Sequence, residues 1–289
     1  CGYENLEVIF VDDGSDDDSL AIAREVATRD DRFVVVSQPH HGLVAALNHG
    51  LSRCRGPLVA RMDADDLMHR QRLRWQLGLF DAEPDHVAVG CHVRLFPRAP
   101  LGPGLLAYEG WLNSLKNADD VRRDAFVECP IAHPTLVIRT AVVSELGYRD
   151  RGWPEDYDLV LRLLAQGGRV GVVPRRLLLW RDGPSRLSRT DERYGLDRFT
   201  RCRAHFLAAG PLATSDRYVL WGLGHTGKAL KRALREHGKR PSAIVELHPG
   251  RIGQVIDGAP VIEPPELGTL AAVDRARGPA QLIVVSVAG

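Results

Sequence analysis

Two short acidic clusters contain the side chains best suited to chemistry. The first cluster, VDDGSDDDS at 11–19, sets Asp12 and Asp13 beside Gly14, which permits a tight turn. Two carboxylates there can accept hydrogen bonds from the imide or hydroxyl groups of a nucleoside. The same carboxylates can instead cap a helix, as acidic turns commonly do. The residue types alone leave both roles open.

The second cluster, RMDADD at 61–66, places Asp63, Asp65 and Asp66 within four residues. Their charges repel one another, and a hard divalent cation such as Mg²⁺ or Mn²⁺ would relieve that repulsion. A cation bound there could also neutralise a departing diphosphate. The alternative is a solvated acidic turn, since charge runs usually face water.

A third acidic motif, GWPEDYDLVLRLL at 152–164, puts Glu155 and Asp156 just before a predicted helix. A carboxylate in this position can act as a general base towards an acceptor hydroxyl. Acidic residues are also common caps at helix N-termini, and the motif taken alone favours that interpretation.

The elements around these motifs predict an α/β fold. Apolar runs alternate with helical patterns, which favours a parallel sheet with crossover helices. Ligands of such sheets bind beyond the carboxyl ends of the strands, where the first two acidic clusters are predicted to lie. The predicted elements are strands at 6–11, 33–37 and 58–62, helices at 19–28, 42–54 and 70–80, and later a strand within 133–139 and helices at 157–165 and 192–209.

The order and spacing of four motifs resemble family 2 glycosyltransferases. The motifs are VDDGSDDDS, HGLVAALNHGLSRCRGPLVARMDADD, HPTLVIR at 133–139 and WPEDYDLVLRL, and the resemblance covers about residues 6–188. It implies a GT-A-type fold, with a doubly wound, mostly parallel, Rossmann-like sheet. It also implies an inverting enzyme that uses a nucleotide-activated sugar.

The resemblance implies a role for each matching residue. Asp12 and Asp13 are expected to contact the nucleoside. Asp63 and Asp65 are expected to bind the metal and the donor sugar, with Asp66 as a third candidate ligand. Asp156 is the expected catalytic base, and the expected substrate-binding residues include Glu155 and His133.

The sequence departs from the family pattern in two places. The family's first apolar strand and its P-V-Y-N-like turn are absent, so the glycosyltransferase domain, expected at 1–210, is interpreted as N-terminally truncated. The Q-x-x-R-W element of processive members is also absent, which predicts a non-processive enzyme. In its place, RDGPSRLSR resembles a basic loop that closes on the diphosphate, and Arg181 and Arg189 become substrate-binding candidates. A solvated loop is an equal alternative.

A second unit is expected at 216–289, again interpreted as truncated, at its C-terminal end. Gly222, Gly224 and Gly227 form a G-x-G-x-x-G motif between a predicted strand and helix, and Glu246 follows the next predicted strand. The helix N-terminus could bind a phosphate. The region 218–267 resembles the Rossmann-like N-terminal domain of sugar acyltransferases. That resemblance implies an accessory role, structural or in sugar-nucleotide binding.

Together these patterns predict a metal-dependent glycosyltransferase. It would move a sugar from a nucleotide-diphosphate sugar, in the first instance a UDP-sugar, to a hydroxyl of a glycan, lipid or small molecule. The expected context is the synthesis of a glycan, cell-surface polysaccharide or glycolipid. Two alternatives remain: an NAD(P)-linked oxidoreductase built on the second unit, and an inactive sugar-nucleotide-binding protein.

Composition narrows the partners and the location. With 38 basic and 37 acidic residues, the total charge gives no electrostatic reason to expect a nucleic-acid partner. The five cysteines form no C-x-x-C pair, which favours reduced thiols and a cytoplasmic location. No apolar run approaches the roughly 20 residues of a membrane-spanning helix. Peripheral contact with a membrane stays open.

Overall fold

The chain divides into two units, Cys1–Thr190 and Asp191–Gly289. The computed structural model describes residues 2–99, 101–184, 186–267 and 283–285. Ser185 of the basic loop and most of the predicted C-terminal end therefore lie outside the described residues. The expected boundary was between 210 and 216. The division falls earlier because the helix at 196–209 packs against a helix of the second unit.

The first unit contains two separate sheets. Strands β1 and β2 pair in parallel, and the other five strands form a mixed sheet in the order β3-β6-β5-β7-β4. The strands are β1 (Val8–Asp12), β2 (Phe33–Ser37), β3 (Leu58–Ala60), β4 (Leu67–Met68), β5 (His86–Phe96), β6 (Val137–Arg139) and β7 (Arg169–Arg181). The helices are α1 (Ser19–Ala27), α2 (Leu43–Leu51), α3 (Arg72–Ala82), α4 (Pro103–Leu112), α5 (Ala118–Asp124), α6 (Thr140–Leu146), α7 (Glu155–Ala165) and α8 (Leu187–Thr190).

The early alternation of strands and helices agrees with the prediction to within a few residues. The long central strands β5 and β7 have no counterpart among the predicted elements, although they pair in parallel along most of their length. β6 runs antiparallel to both β3 and β5. The fold is therefore α/β, as expected, with antiparallel strands mixed into its larger sheet.

Strand β5 contributes to two hydrophobic clusters, one on each side of an irregularity in its pairing with β7. The register with β7 shifts on both sides of His92. Before the bulge, Val89 and Cys91 pack with Phe80 of α3. After it, Val93 packs in a second cluster with Leu112 of α4. The extra residues of this irregularity lie on β7, where Val173 pairs with Cys91 and Leu178 pairs with Val93.

The second unit has a Rossmann-like strand order. Its sheet runs β10-β11-β9-β8-β12, and β8, β9, β11 and β12 are mutually parallel. In chain order, these four strands stand as 3-2-1-4, which matches the first four positions of the 3-2-1-4-5-6 order of dinucleotide-binding folds. The elements are α9 (Leu196–Ala209), β8 (Arg217–Trp221), α10 (His225–Glu236), β9 (Arg240–Val245), β10 (Val255–Ile256), β11 (Ala259–Ile262) and β12 (Ile283–Val285). Among the described residues, no helix has both the length and the apolar character needed to cross a bilayer.

Helix α7 carries a buried ion pair one turn after the Glu155 and Asp156 motif. Asp158 Oδ2 lies 2.6 Å from Arg162 Nε, and both side chains are buried. Arg162 also donates to the carbonyls of Leu146 and Gly147 at 2.9 and 2.7 Å. The pair therefore fixes α7 to the end of α6.

We expect Asp158→Ala to lower the free energy of unfolding by about 3 to 5 kcal/mol, because it leaves the guanidinium of Arg162 buried without its counter-charge. Glu25→Ala is the control, since it removes the exposed i,i+4 partner of Arg29 and should change stability little. Urea unfolding of both variants measures the difference. Equal losses would show that the α7 pair is not a structural anchor.

Candidate active site

Asp12 is held at the carboxyl end of β1. Its Oδ1 accepts from the amide of Ser15 at 3.2 Å, and its Oδ2 accepts from the hydroxyl of Ser37 at 3.0 Å. The side chain of Ser15 is the largest cause that lowers the pKa of Asp12, and these two hydrogen bonds act in the same direction, so Asp12 is ionised at neutral pH. The carboxylate is almost fully buried.

Asp13 caps helix α2. Its carboxylate accepts from the amides of His41 and Gly42 at 3.0 and 2.8 Å and from Gln38 Nε2 at 2.6 Å. Burial raises the pKa of Asp13, but these hydrogen bonds outweigh it, and the net pKa is lowered. Gly42 has a φ of 85°, a conformation that favours glycine. The capping role anticipated for the first cluster thus applies to α2, and nucleoside contact by Asp12 and Asp13 stays a prediction.

Helix α2 is tied to the segment after α6 by a two-point hydrogen bond. Asn48 Nδ2 donates to the carbonyl of Tyr148 at 3.0 Å, and the amide of Tyr148 donates to Asn48 Oδ1 at 2.9 Å. The Tyr148 hydroxyl then lies 3.0 Å from Nε2 of His133. The helix capped by Asp13 is thereby connected to His133 of the HPTLVIR motif.

Asp66 is a buried carboxylate with one oxygen unsatisfied. Its Oδ1 accepts from the amide of Arg181 at 2.7 Å, whereas Oδ2 has no hydrogen-bond partner among the described residues. Burial raises the pKa of Asp66 to about 7, and the charges of Asp63 and Asp65 act in the same direction. A buried oxygen without a donor, flanked by two further carboxylates, fits a divalent cation.

Asp63 and Asp65 lie nearer the surface than Asp66. Asp63 forms an ion pair with Arg61, and Asp65 is exposed. Their ligand atoms do not converge with that of Asp66 as a ready-made set of three. Among the described residues, only Glu83, Asp85 and His86 converge in that way, and Arg169 pairs with both of those carboxylates. The three predicted metal ligands thus lie in one turn. Arg61 places a positive charge beside Asp63.

Glu155 and Asp156 occupy the start of α7. Asp156 Oδ1 accepts from the amide of Tyr157 at 2.7 Å, and Glu155 Oε1 lies 3.9 Å from His133 Nδ1. Burial, followed by the negative charge of Glu155, raises the pKa of Asp156. Burial, followed by the positive charge of Arg61, holds the pKa of His133 well below its usual value, so its imidazole is neutral.

Arg61 is the functional candidate that the sequence patterns did not identify. Its side chain is largely buried, and its positive charge opposes the upward shift in the pKa of both Asp66 and Asp156. It follows β3 directly, and its amide donates to the carbonyl of Leu136 at 2.8 Å. Its position beside a known acidic motif was the available signal.

The two arginines predicted to bind the substrate, Arg181 and Arg189, have different partners in the structure. Arg181 joins the second acidic cluster, because its Nε donates to the carbonyl of Asp65 at 2.8 Å. Arg189 pairs instead with Asp182 at 2.7 Å, and Arg186 stacks over the Trp180 ring. The basic segment therefore contains a short helix, α8, which is held by the buried carboxylate of Asp182. The sequence motifs assign no role to Asp182.

The glycine-rich turn of the second unit lies between β8 and α10, as predicted. Gly222 has a φ of 92°, and Gly224 precedes the first residue of α10 without a side-chain cap. Glu246 accepts from the amide of Leu223 at 3.1 Å and pairs with Arg251 at 3.0 Å. The acid that would hold a ribose in an NAD site is therefore engaged by the turn itself. Phosphate binding by Gly222, Gly224 and Gly227 stays a prediction.

Comparisons with known proteins agree with the fold and the motifs. The model of the family described as Glycosyl transferase family 2 matches residues 2–147. Amylovoran biosynthesis glycosyltransferase AmsE of Erwinia amylovora is 31% identical over 183 residues, which cover 61% of this chain and 65% of that protein.

Two solved structures share the fold. TarS 1-349 of S. aureus in complex with UDP-GlcNAc has a TM-score of 0.53 at 16% identity, covering 80% of this chain and 63% of that one. Mannosyltransferase PcManGT from Pyrobaculum calidifontis, in complex with GDP-Man and Mn²⁺, has a TM-score of 0.50 at 22% identity, covering 71% of this chain and 54% of that one. The chain thus spans less than two thirds of the length of AmsE and of both solved chains.

We expect Asp66→Asn to raise stability in the presence of a chelator. A carboxyl whose folded pKa is raised loses stabilising free energy as pH rises from its unfolded pKa, near 4, towards 7. A tenfold change in the proton affinity of the carboxyl corresponds to about 1.4 kcal/mol, so the variant should gain about 1 to 4 kcal/mol at pH 8 and less at pH 5. Urea unfolding at both pH values measures this gain. A variant less stable than the parent at pH 8 would show that the ionised carboxylate of Asp66 does not destabilise the folded chain.

Proposed function

Because this chain belongs to glycosyltransferase family 2, we propose that it transfers a sugar from a nucleotide-diphosphate sugar to an acceptor hydroxyl with inversion. The acceptor is extended by one sugar per encounter. A UDP-sugar is the first donor to test, and the relative AmsE, whose name refers to amylovoran biosynthesis, makes a surface polysaccharide the first context. The donor, the acceptor and the inversion all belong to this proposal.

The proposal rests on two carboxyl groups that both have a raised pKa and are both influenced by the charge of the same arginine. Asp66 and Asp156 lie on different elements, both have a raised pKa, and Arg61 acts electrostatically on each. Carboxylates with perturbed pKa values cluster at functional sites more often than elsewhere. Packing alone gives no reason to keep two such acids near one buried cation.

The proposed reaction is a single displacement at the anomeric carbon. The acceptor oxygen forms a bond to that carbon while the bond to the diphosphate oxygen breaks, and the nucleoside diphosphate departs with the bonding electrons. Asp156 takes the proton of the acceptor hydroxyl. A carboxylate with a raised pKa is a better proton acceptor near neutral pH than an ordinary aspartate.

The second acidic cluster would serve the leaving group. Asp66, with Asp63 and Asp65, would hold Mg²⁺ or Mn²⁺, and the bound cation would neutralise charge on the diphosphate. Arg61 balances the charge of Asp63 through their ion pair. Arg181, whose side chain donates to the backbone carbonyl of Asp65, would contact the diphosphate.

We expect the affinity for a nucleoside diphosphate to fall at least about tenfold, or about 1.4 kcal/mol, when Mg²⁺ and Mn²⁺ are chelated. Asp63→Asn and Asp65→Asn should lack the metal-dependent gain in affinity. Asp119→Asn, which removes an exposed acid on α5, should behave like the parent. Titration calorimetry measures all four proteins. Equal affinity of the parent in both conditions would remove the metal from the proposal.

We expect Asp156→Asn to lower turnover by about 10² to 10⁴, the usual contribution of a general base. The amide keeps the size of the side chain and can still accept from Tyr157, but it cannot take a proton. Donor affinity should change little, because Asp156 is assigned to the acceptor. Turnover and donor affinity are measured in parallel.

Glu155→Gln is the matched control for the base. It removes the neighbouring negative charge, so turnover should fall less than in Asp156→Asn, and the rise of turnover with pH should shift to lower pH. Near-normal turnover of correctly folded Asp156→Asn would reject Asp156 as the base. A larger loss in Glu155→Gln than in Asp156→Asn would transfer that role to Glu155.

A further inference from the structure

A strongly basic cleft lies along helix α10 in the second unit. The cleft has a volume of about 960 Å³ and extends from Leu223, in the glycine-rich turn, to Pro241 in β9. Its opposite wall includes Gln254 and Ile256 around β10. A cleft of this size matches those that hold nucleotide-sized ligands.

The charges that line the cleft do not balance. Three of its cations have carboxylate partners: Lys231 pairs with Asp257, Lys239 with Asp216, and Arg251 with Glu246. Four more cations line it without an ion pair among the described residues: Lys228, Arg232, Arg235 and Arg240. The cleft therefore carries a surplus of four positive charges.

The surplus positive charge destabilises α10, the helix that carries most of it. Lys228 and Arg232 are four residues apart, as are Lys231 and Arg235, so like charges face each other along one side of α10. Such pairs destabilise an isolated helix. α10 also begins without a side-chain cap, and its own first turn contains no acidic residue to balance the positive end of the helix dipole.

From these features we infer that the cleft binds a diphosphate-bearing ligand. An arginine side chain can donate two parallel hydrogen bonds to one phosphate group. The amides at the start of α10 offer further donors. From Lys228 to Arg235 the helix rises about 10 Å, so the cations span several phosphate oxygens and exceed the reach of one carboxylate. The described residues that line the cleft include no Phe, Tyr or Trp, and this disfavours single-stranded nucleic acid, which is usually bound by stacking.

The site is distinct from the donor site proposed in the first unit. The lining residues within the described part of the chain all belong to the second unit, and none of them is assigned to sugar transfer. It also differs from the phosphate site expected from the glycine motif, because it depends on side chains along the whole of α10. A free diphosphate, a nucleoside diphosphate and a diphosphate-linked lipid all carry the group that would bind.

The test is calorimetric titration of the full chain with pyrophosphate, with UDP and with orthophosphate, all in the presence of a chelator. We expect pyrophosphate to bind, orthophosphate to bind more weakly, and Arg232→Gln/Arg235→Gln to lose about tenfold or more in pyrophosphate affinity. Arg201→Gln/Arg217→Gln removes two exposed cations outside the cleft and should keep the parent affinity. Asp63→Asn should also keep it, which separates the cleft from the donor site. Thermal melting verifies that each variant is folded.

Tighter binding of UDP than of pyrophosphate, lost in the cleft variant, would support the inference and identify a nucleoside diphosphate as the source. Absence of pyrophosphate binding, or equal losses in the cleft and control variants, would overturn it. Binding to vesicles containing phosphatidylglycerol that depends on Arg232 and Arg235, without pyrophosphate binding, would also overturn it in favour of a membrane surface.

Discussion

The positive charge of Arg61 is the constraint on which the first unit depends. Two acids, the buried Asp66 and the half-buried Asp156, lie on separate segments, and loss of contact with solvent drives the pKa of each upwards. Arg61 opposes both shifts, pairs with Asp63, and contributes to keeping His133 neutral. A buried cation is costly unless it is compensated, and so is each buried carboxylate. The acids and the arginine are therefore tolerable only together, which requires the surrounding elements to hold them in register.

The larger sheet supplies that register. β3 ends at Ala60, and its antiparallel pairing with β6 continues as the hydrogen bond from the amide of Arg61 to the carbonyl of Leu136. His133, three residues before Leu136, is thereby brought beside Arg61. From the other side, Arg72 at the start of α3 donates to the carbonyl of Arg61 at 3.0 Å. The backbone of Arg61 is thus fixed from two directions, so the orientation of its side chain follows from strand pairing.

The sequence could predict the acids but not their partners. Acidic motifs stand out by composition and spacing, whereas Asn48 and Tyr148 are common residue types whose contact spans 100 positions. The strands β5 and β7 were missed for a related reason. Buried on both faces, β5 shows no polar alternation, and β7 is interrupted by Pro174 and two arginines. These residues lie at the register shift opposite His92. A bulge can accommodate a proline there, whereas a regular central strand cannot, because proline has no amide hydrogen to donate to the neighbouring strand.

The near-neutral total charge conceals two local imbalances of opposite sign. The first unit concentrates carboxylates around Asp66 and Asp156, and the second concentrates cations along α10. Each imbalance lowers the stability of the element that carries it, and neither is required by packing. Local rules are broken in this way mainly at functional sites, where ligand binding offsets the cost. Net charge is therefore a poor guide to the partners of a two-unit chain, because an acidic site that fits a cation and a basic site that fits an anion cancel in the sum.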